Sequence, residues 1–114
     1  MTINMDWMAT ILAATNTKSD PAYPLDGEDI LPVLKGAERV RDRTLFWRVG
    51  DEDAARSGNW KYRRVGNKTY LFDLAVDAHE QANFKARRPE IFQKLKTAFE
   101  TWDKQMLPRK EEER

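Results

Sequence analysis

The residues with the most chemical potential lie between Ala54 and Phe72. Arg56, Lys61, Arg63, Arg64 and Lys68 occur there with no acidic residue, interleaved with Trp60, Tyr62 and Tyr70. Cationic groups attract oxyanions and aromatic faces stack on rings. A sheet carrying both kinds of residue would suit single-stranded nucleic acid or a sulfated or phosphorylated small molecule. The same pattern also fits a solvated sheet face whose Lys and Arg discourage edge pairing, with the aromatics serving the core. All three readings stand at this point.

The remaining chemistry is sparse. His79 is the only histidine and cysteine is absent, so a His pair, a thiolate metal site, a disulfide and a cysteine nucleophile are excluded for this chain. His79 reads as an exposed loop residue. No glycine-rich phosphate loop occurs. Asp51, Glu52 and Asp53 read as a solvated acidic turn, since three carboxylates beside one glycine do not make a calcium loop. Asp77 and Glu80 have capping-box spacing, Asp77 accepting from the backbone three residues on while Glu80 reaches back.

These residues sit in a chain of 114, of which 34% are charged and 40% apolar, with a net charge of +1. The length suits one domain burying roughly two-thirds of its unfolded surface. The near-neutral balance argues against a general polyanion binder, and no apolar run approaches the ~20 residues of a membrane span. No signal peptide is visible, since the apolar start lacks a basic region and carries Asp6 and Trp7.

The first element predicted is a helix over 5–14, with Asn4 as N-cap and Ile3 stapled to Met8. Trp7, Met8, Ile11, Leu12 and Met5 spread around most of its circumference, with Asp6 as its only charge. Such a helix is either core to this domain or shaped to pack on a sheet the chain does not contain. A turn-rich loop follows over 16–27, then a short helix over 28–34 made brief or irregular by Pro32. Residues 44–74 form the β portion. A three-residue turn at Gly66-Asn67-Lys68 is expected, because pairing Val65 with Thr69 gathers Trp60, Tyr62, Tyr70, Phe72 and Leu74 on one face and leaves Lys61, Arg63 and Lys68 outside. Pro89 opens the last helix. Its Ile91, Phe92, Leu95, Ala98, Phe99, Trp102 and Met106 fall within an arc of about 120°, and Pro108 is expected to end it before a solvated charged tail.

Five segments together carry a family likeness. Leu25-Asp-Gly-Glu-Asp-Ile-Leu-Pro-Val-Leu-Lys-Gly36 resembles the DG-x-D/S-L-x-P-x-L-x-G segment of arylsulfatase-type sulfatases. Arg43-Thr-Leu-Phe-Trp-Arg48 is similar to their R-x-L-F/Y-W/F-R strand, and Ala54-Ala-Arg-Ser-Gly-Asn-Trp-Lys61 to A-V-R-x-G-x-W-K. Leu71-Phe-Asp-Leu, Asp77, Glu80 and Asn83 follow L-Y/F-D-L-x2-D-P-x-E-x2-N-L, with Ala78 in place of the proline. Asp6-Trp7-Met8-Ala9-Thr10 resembles the D-x-x-P/A-T-x-L helix just upstream. The order is the family's, and the likeness spans all but the charged tail.

The resemblance implies an α+β fold: a small antiparallel sheet of about four strands covered by a long C-terminal amphipathic helix and preceded by an N-terminal apolar helix. It implies that 1–15 is the last helix of a sulfatase catalytic domain, 16–43 a connection, 44–107 the C-terminal subdomain and 108–114 a disordered charged tail. The family hydrolyses sulfate esters with a formylglycine made from Cys or Ser in a C/S-x-P-S/A-x-R motif, assisted by a divalent cation such as calcium. Ser19-Asp20-Pro21-Ala22 mimics the start of that motif, but no arginine follows and the position is wrong. No catalytic or metal-ligating residue of the family maps onto this chain, so no cofactor is expected in it and it is expected to be inactive alone. The role implied is structural and at the rim of a substrate pocket, with Arg56, Trp60 and Lys61 as candidates for rim or domain contacts. The expected partner is the sulfatase catalytic domain, or a second copy through the Trp7 helix. Membrane and nucleic acid are disfavoured as partners, and expression of the chain alone implies the cytoplasm. The alternative is a stand-alone module that binds a sulfated glycan or single-stranded nucleic acid through the basic hairpin.

Overall fold

Glycine recurs at 50, 58 and 66, each time followed by Asp or Asn, and this eight-residue period builds the sheet. In a computed structural model describing residues 1–36 and 42–109, each Gly takes a φ of 54–56° and opens a two-residue hairpin loop. A positive φ at the first loop position matches the right-handed twist of the flanking strands. Between the loops lie six-residue strands: β1 (Thr44–Val49), β2 (Glu52–Ser57), β3 (Trp60–Val65) and β4 (Lys68–Asp73). They form a four-stranded antiparallel meander in chain order.

The register differs from the expected one. Val65 pairs with Lys68, not with Thr69, so Tyr70 and Phe72 share the face of Lys61, Arg63 and Lys68, opposite Trp60 and Tyr62. The supposed acidic turn is also revised. Glu52 and Asp53 begin β2, and Asp53 is buried.

The other face of the sheet is covered by α3 (Pro89–Asp103). Phe46, Ala55, Tyr62 and Leu71 form one cross-strand row, against which Leu95 and Phe99 pack. Phe46 stacks on Trp102 at 5.2 Å between ring centroids, and Tyr62 meets Phe92 at 5.6 Å. Ala55 leaves room for these rings. Pro89 stands in the first turn as expected, where its missing N–H leaves no bond unmade. The helix ends five residues before Pro108, and there Arg48 of β1 bonds Asp103 and the Leu107 carbonyl, both at 2.7 Å. The α+β architecture expected from the sequence is the one observed.

Residues 1–42 form a compact unit distinct from residues 43–114. It contains α1 (Asp6–Ala14) and the single-turn α2 (Leu31–Leu34), with Pro32 in the first turn. Met5, not Asn4, precedes α1, and no side chain caps it there. The burial of α1 is the reverse of its hydropathy. Asp6 and Thr10 are buried, while Trp7, Met8 and Ile11 are 55%, 56% and 53% exposed. The Asp6 carboxylate accepts from Ile3 N (2.9 Å) and Glu28 N (3.0 Å), and Thr10 Oγ1 accepts from Ile30 N (3.0 Å). These polar groups carry the loop and need it close. Gly27 provides that closeness, since a Cβ there would stand 2.0 Å from the Met5 carbonyl oxygen.

The expected helical cap at 77–80 is absent: residues 74–88 form a loop. Asp77 Oδ2 accepts from Ala82 N at 2.7 Å, and Glu80, at φ 56°, turns instead toward Lys61. The edge of β4 is occupied by this loop. Asn83 Oδ1 accepts from Leu71 N (3.0 Å) and Phe84 N donates to Leu71 O (2.7 Å), which removes a pairing edge. Among the described residues, no helix is long and apolar enough to cross a membrane.

Gly27→Ala is expected to cost about 1–3 kcal/mol or more, because the clash is with backbone that cannot rotate away. Accelerated exchange of the Glu28 and Ile30 amides would report it. Burial, the largest influence on Tyr62, pushes its phenol above the ordinary 10.0. Arg64 opposes the shift, and Asp53 and Glu100 add to it. The folded state therefore favours the neutral phenol, a contribution complete below the ordinary value and lost as the pH rises through the folded one. Tyr62→Phe should flatten the decline of unfolding free energy above about pH 10, measured by urea titration.

Candidate functional site

Two-residue loops give the sheet's open face a definite membership. Trp47, Ala54, Arg63 and Tyr70 form one cross-strand row, and Leu45, Arg56, Lys61 and Phe72 the next, in which Leu45 and Phe72 are buried. The expected candidates therefore divide. Arg56 and Lys61 are directly opposite each other on the open face, whereas Trp60 lies on the α3 side with its ring edge-on to Phe84 at 6.0 Å. Trp60 is a packing residue in this unit, and a different tryptophan, Trp47, joins the two bases.

The basic run is largely neutralised. Arg64 points to the α3 side, where its guanidinium bonds the buried Asp53 carboxylate, with Nε at 2.6 Å. Arg63 pairs with Glu52 at 3.0 Å, its neighbour across and along the strands. Lys61 pairs with Glu80 at 2.5 Å. Lys68 is exposed at the start of β4. Arg56 bonds only the Gly58 carbonyl, through Nε at 3.2 Å, and has no carboxylate partner among the described residues. The five positive charges read in the sequence thus leave Arg56 as the half-buried cation of the open face without an acid.

Asp53 has a second cation. Arg109, expected at the start of a solvated tail, bonds the Asp53 carboxylate and donates to Gly50 O at 2.7 Å. The rest of that tail, 110–114, lies outside the described residues. Asp53 is thus held between β3 and the segment after α3, closing α3 onto the sheet.

A groove of about 810 Å³ opens on the exposed face, lined by Trp47, Ala54, Arg56, Lys61 and Arg63, with Glu80 from the loop. Trp47 is 38% exposed. Its place beside Arg56 was not recognised from the sequence, although the glycine period carries the signal. Among the described residues no group of three or more His, Asp or Glu comes together to hold a metal ion.

The fold has counterparts among solved structures. The chain is similar to Ps i-CgsB, solved in complex with k-i-k-neocarrahexaose (TM-score 0.75, 21% identity), and to a second crystal structure of Ps i-CgsB (TM-score 0.76, 21% identity). It is also similar to BT33336S-sulf, described under the metabolism of multiple glycosaminoglycans by Bacteroides thetaiotaomicron (TM-score 0.72, 19% identity). These are sulfatase-related chains. The chain shares their fold. The matches cover 84–85% of this chain but only 23–24% of the neighbours, so it spans about a quarter of their length. No family model matches the sequence, and no curated protein does.

The Asp53 cluster yields a directional test. Replacing Arg64 and Arg109 together by Gln leaves a buried carboxylate unpaired and is expected to cost about 3–5 kcal/mol. Adding Asp53→Asn should recover a substantial part of that loss. Urea unfolding of the double and triple variants measures both changes.

Proposed function

We propose that this chain is the C-terminal subdomain of a sulfatase together with the helix that precedes it, and that it takes part in sulfate-ester hydrolysis as a structural and pocket-rim element. The observation that carries this reading is a coincidence of two kinds of likeness. Five sulfatase-like segments run in family order along the chain, and the fold match covers 84–85% of it but about a quarter of each neighbour. The likeness residues also have architectural work here. Asp6 and Thr10 hold the Gly27 loop, Arg48 holds the end of α3, and Asn83 covers the β4 edge. Motifs made of such residues mark a shared frame, not shared catalysis.

In this reading the catalytic groups, a formylglycine and a divalent cation such as calcium, belong to a catalytic domain, and this chain supplies none of them. The partner surface is the apolar side of α1. Trp7, Met8 and Ile11 are more than half exposed, and a contiguous apolar patch of this kind marks an interaction site. When residues 1–114 are taken by themselves, the same face is the one available for self-association.

Two measurements test the reading. The purified chain supplied with calcium should give no turnover of an aryl sulfate above a protein-free control, and measurable turnover sinks the assignment. Sedimentation of the chain by itself should show concentration-dependent association that is lost in Trp7→Ser/Ile11→Ser. A monomer at all concentrations removes the argument for α1 as a docking face.

A further inference from the structure

We propose that the outer edge of β1 receives an extended, acid-bearing segment of another polypeptide, which joins the sheet as an additional strand. This goes beyond the subdomain reading and does not depend on it, because it rests only on residues of the C-terminal unit.

The hairpin geometry fixes which backbone groups are free. A two-residue loop is closed by a hydrogen-bonded pair, and such pairs alternate along an antiparallel ladder. Val49 with Glu52, Trp47 with Ala54 and Leu45 with Arg56 are therefore the bonded pairs of β1 and β2. The N–H and C=O groups of Thr44, Phe46 and Arg48 point the other way, out of the sheet. The same rule applied to β4 turns Thr69, Leu71 and Asp73 outward. There the outward groups find partners: Leu71 N donates to Asn83 Oδ1, Phe84 N to Leu71 O, and Asp77 N to Asp73 O at 2.9 Å. The outward backbone groups of β1 make no hydrogen bond among the described residues. β1 also lacks the proline, bulge or lysine that blunts an exposed edge. An extended backbone supplies donors and acceptors at the spacing of Phe46 and Arg48, so the hydrogen-bond pattern itself names the class of partner.

Side chains choose among such partners. On the open face Trp47 and Val49 are both exposed, Val49 at 76%, and they suit apolar neighbours on an added strand. On the α3 side Arg48, Arg64 and Arg109 share the carboxylates of Asp53 and Asp103. That network, among the described residues, has one more cation than anion. Arg48 is the only charged residue within β1. Alternation along an added strand places every second side chain on the α3 side, opposite Phe46 and Arg48, and the others beside Trp47. Acids at the first set and apolar residues at the second complement both faces. A second copy of β1 is a poorer fit, because it would bring another Arg48 and no acid.

The experiment is titration of the full chain with a short blocked peptide alternating glutamate and valine, followed by amide chemical shifts and hydrogen exchange. Without peptide, the Phe46 and Arg48 amides should exchange at least tenfold faster than those of Trp47 and Val49, which bond β2. With peptide, Phe46 and Arg48 should slow at least tenfold. The same peptide with lysine in place of glutamate is expected to bind at least tenfold more weakly. A glutamate–valine peptide N-methylated at alternate amides, so that it cannot pair, should not bind. Trp47→Ser should weaken binding at least threefold, and Lys68→Gln, on the far strand, by less than twofold. Circular dichroism establishes that each variant is folded, and the exchange pattern in the unmodified chain tests the site without any substitution. The proposal is overturned if the glutamate peptide leaves Phe46 and Arg48 unprotected, or if the lysine or N-methylated peptide binds as well. It is also overturned if those two amides are already slow in the chain alone and quicken on dilution, since a second copy then occupies the edge.

Discussion

Six-residue strands joined by two-residue loops leave no freedom in which side chain faces where, and the rest of the C-terminal unit depends on that register. The glycines at 50, 58 and 66 adopt a positive φ that costs other residues more, so each hairpin closes after two residues. Side chains alternate along every strand, and a slip of one residue would exchange the two faces completely. With this register Phe46, Ala55, Tyr62 and Leu71 meet α3, and Trp47, Ala54, Arg56, Lys61 and Arg63 line the opposite groove. The core and the groove are two consequences of the same turn geometry.

Charge placement follows from it. Asp53 falls on the α3 side, where a lone carboxylate would be costly, and Arg64 and Arg109 both reach it. Arg48 performs the corresponding task at the helix end through Asp103 and the Leu107 carbonyl. α3 is therefore held by apolar burial along its middle and by arginines at its C-terminal end. On the other face Arg63 is paired with Glu52, whereas Arg56 has no carboxylate partner among the described residues.

On α1 the two polar residues Asp6 and Thr10 face inward, and Trp7, Met8 and Ile11 face outward. Asp6 and Thr10 satisfy backbone N–H groups of a loop whose approach requires Gly27, and buried N–H groups require such partners. Trp7, Met8 and Ile11 are then left on the outer side of α1. A helix rich in apolar residues is thus tied down by its two polar ones.

The sequence by itself determined the elements whose signals are local: a first helix, expected over 5–14 and observed over 6–14, the brief turn at Pro32, a β portion from Thr44 and the amphipathic helix from Pro89. These follow from 3.6- and 2-residue periodicity and from the conformational limits of Gly and Pro, which do not depend on distant residues. It also displayed the order of the sulfatase-like segments. The tertiary structure alone decided the pairing of Val65 with Lys68, the burial of Asp53, the packing of the half-buried Trp60 against the core on the α3 side and the place of Trp47 diagonal to Arg56. In each case the deciding groups are far apart in the chain, such as Asp53 with Arg109 and Lys61 with Glu80. Whether a charge is free or spent depends on what folding brings to it, and composition counts it the same either way.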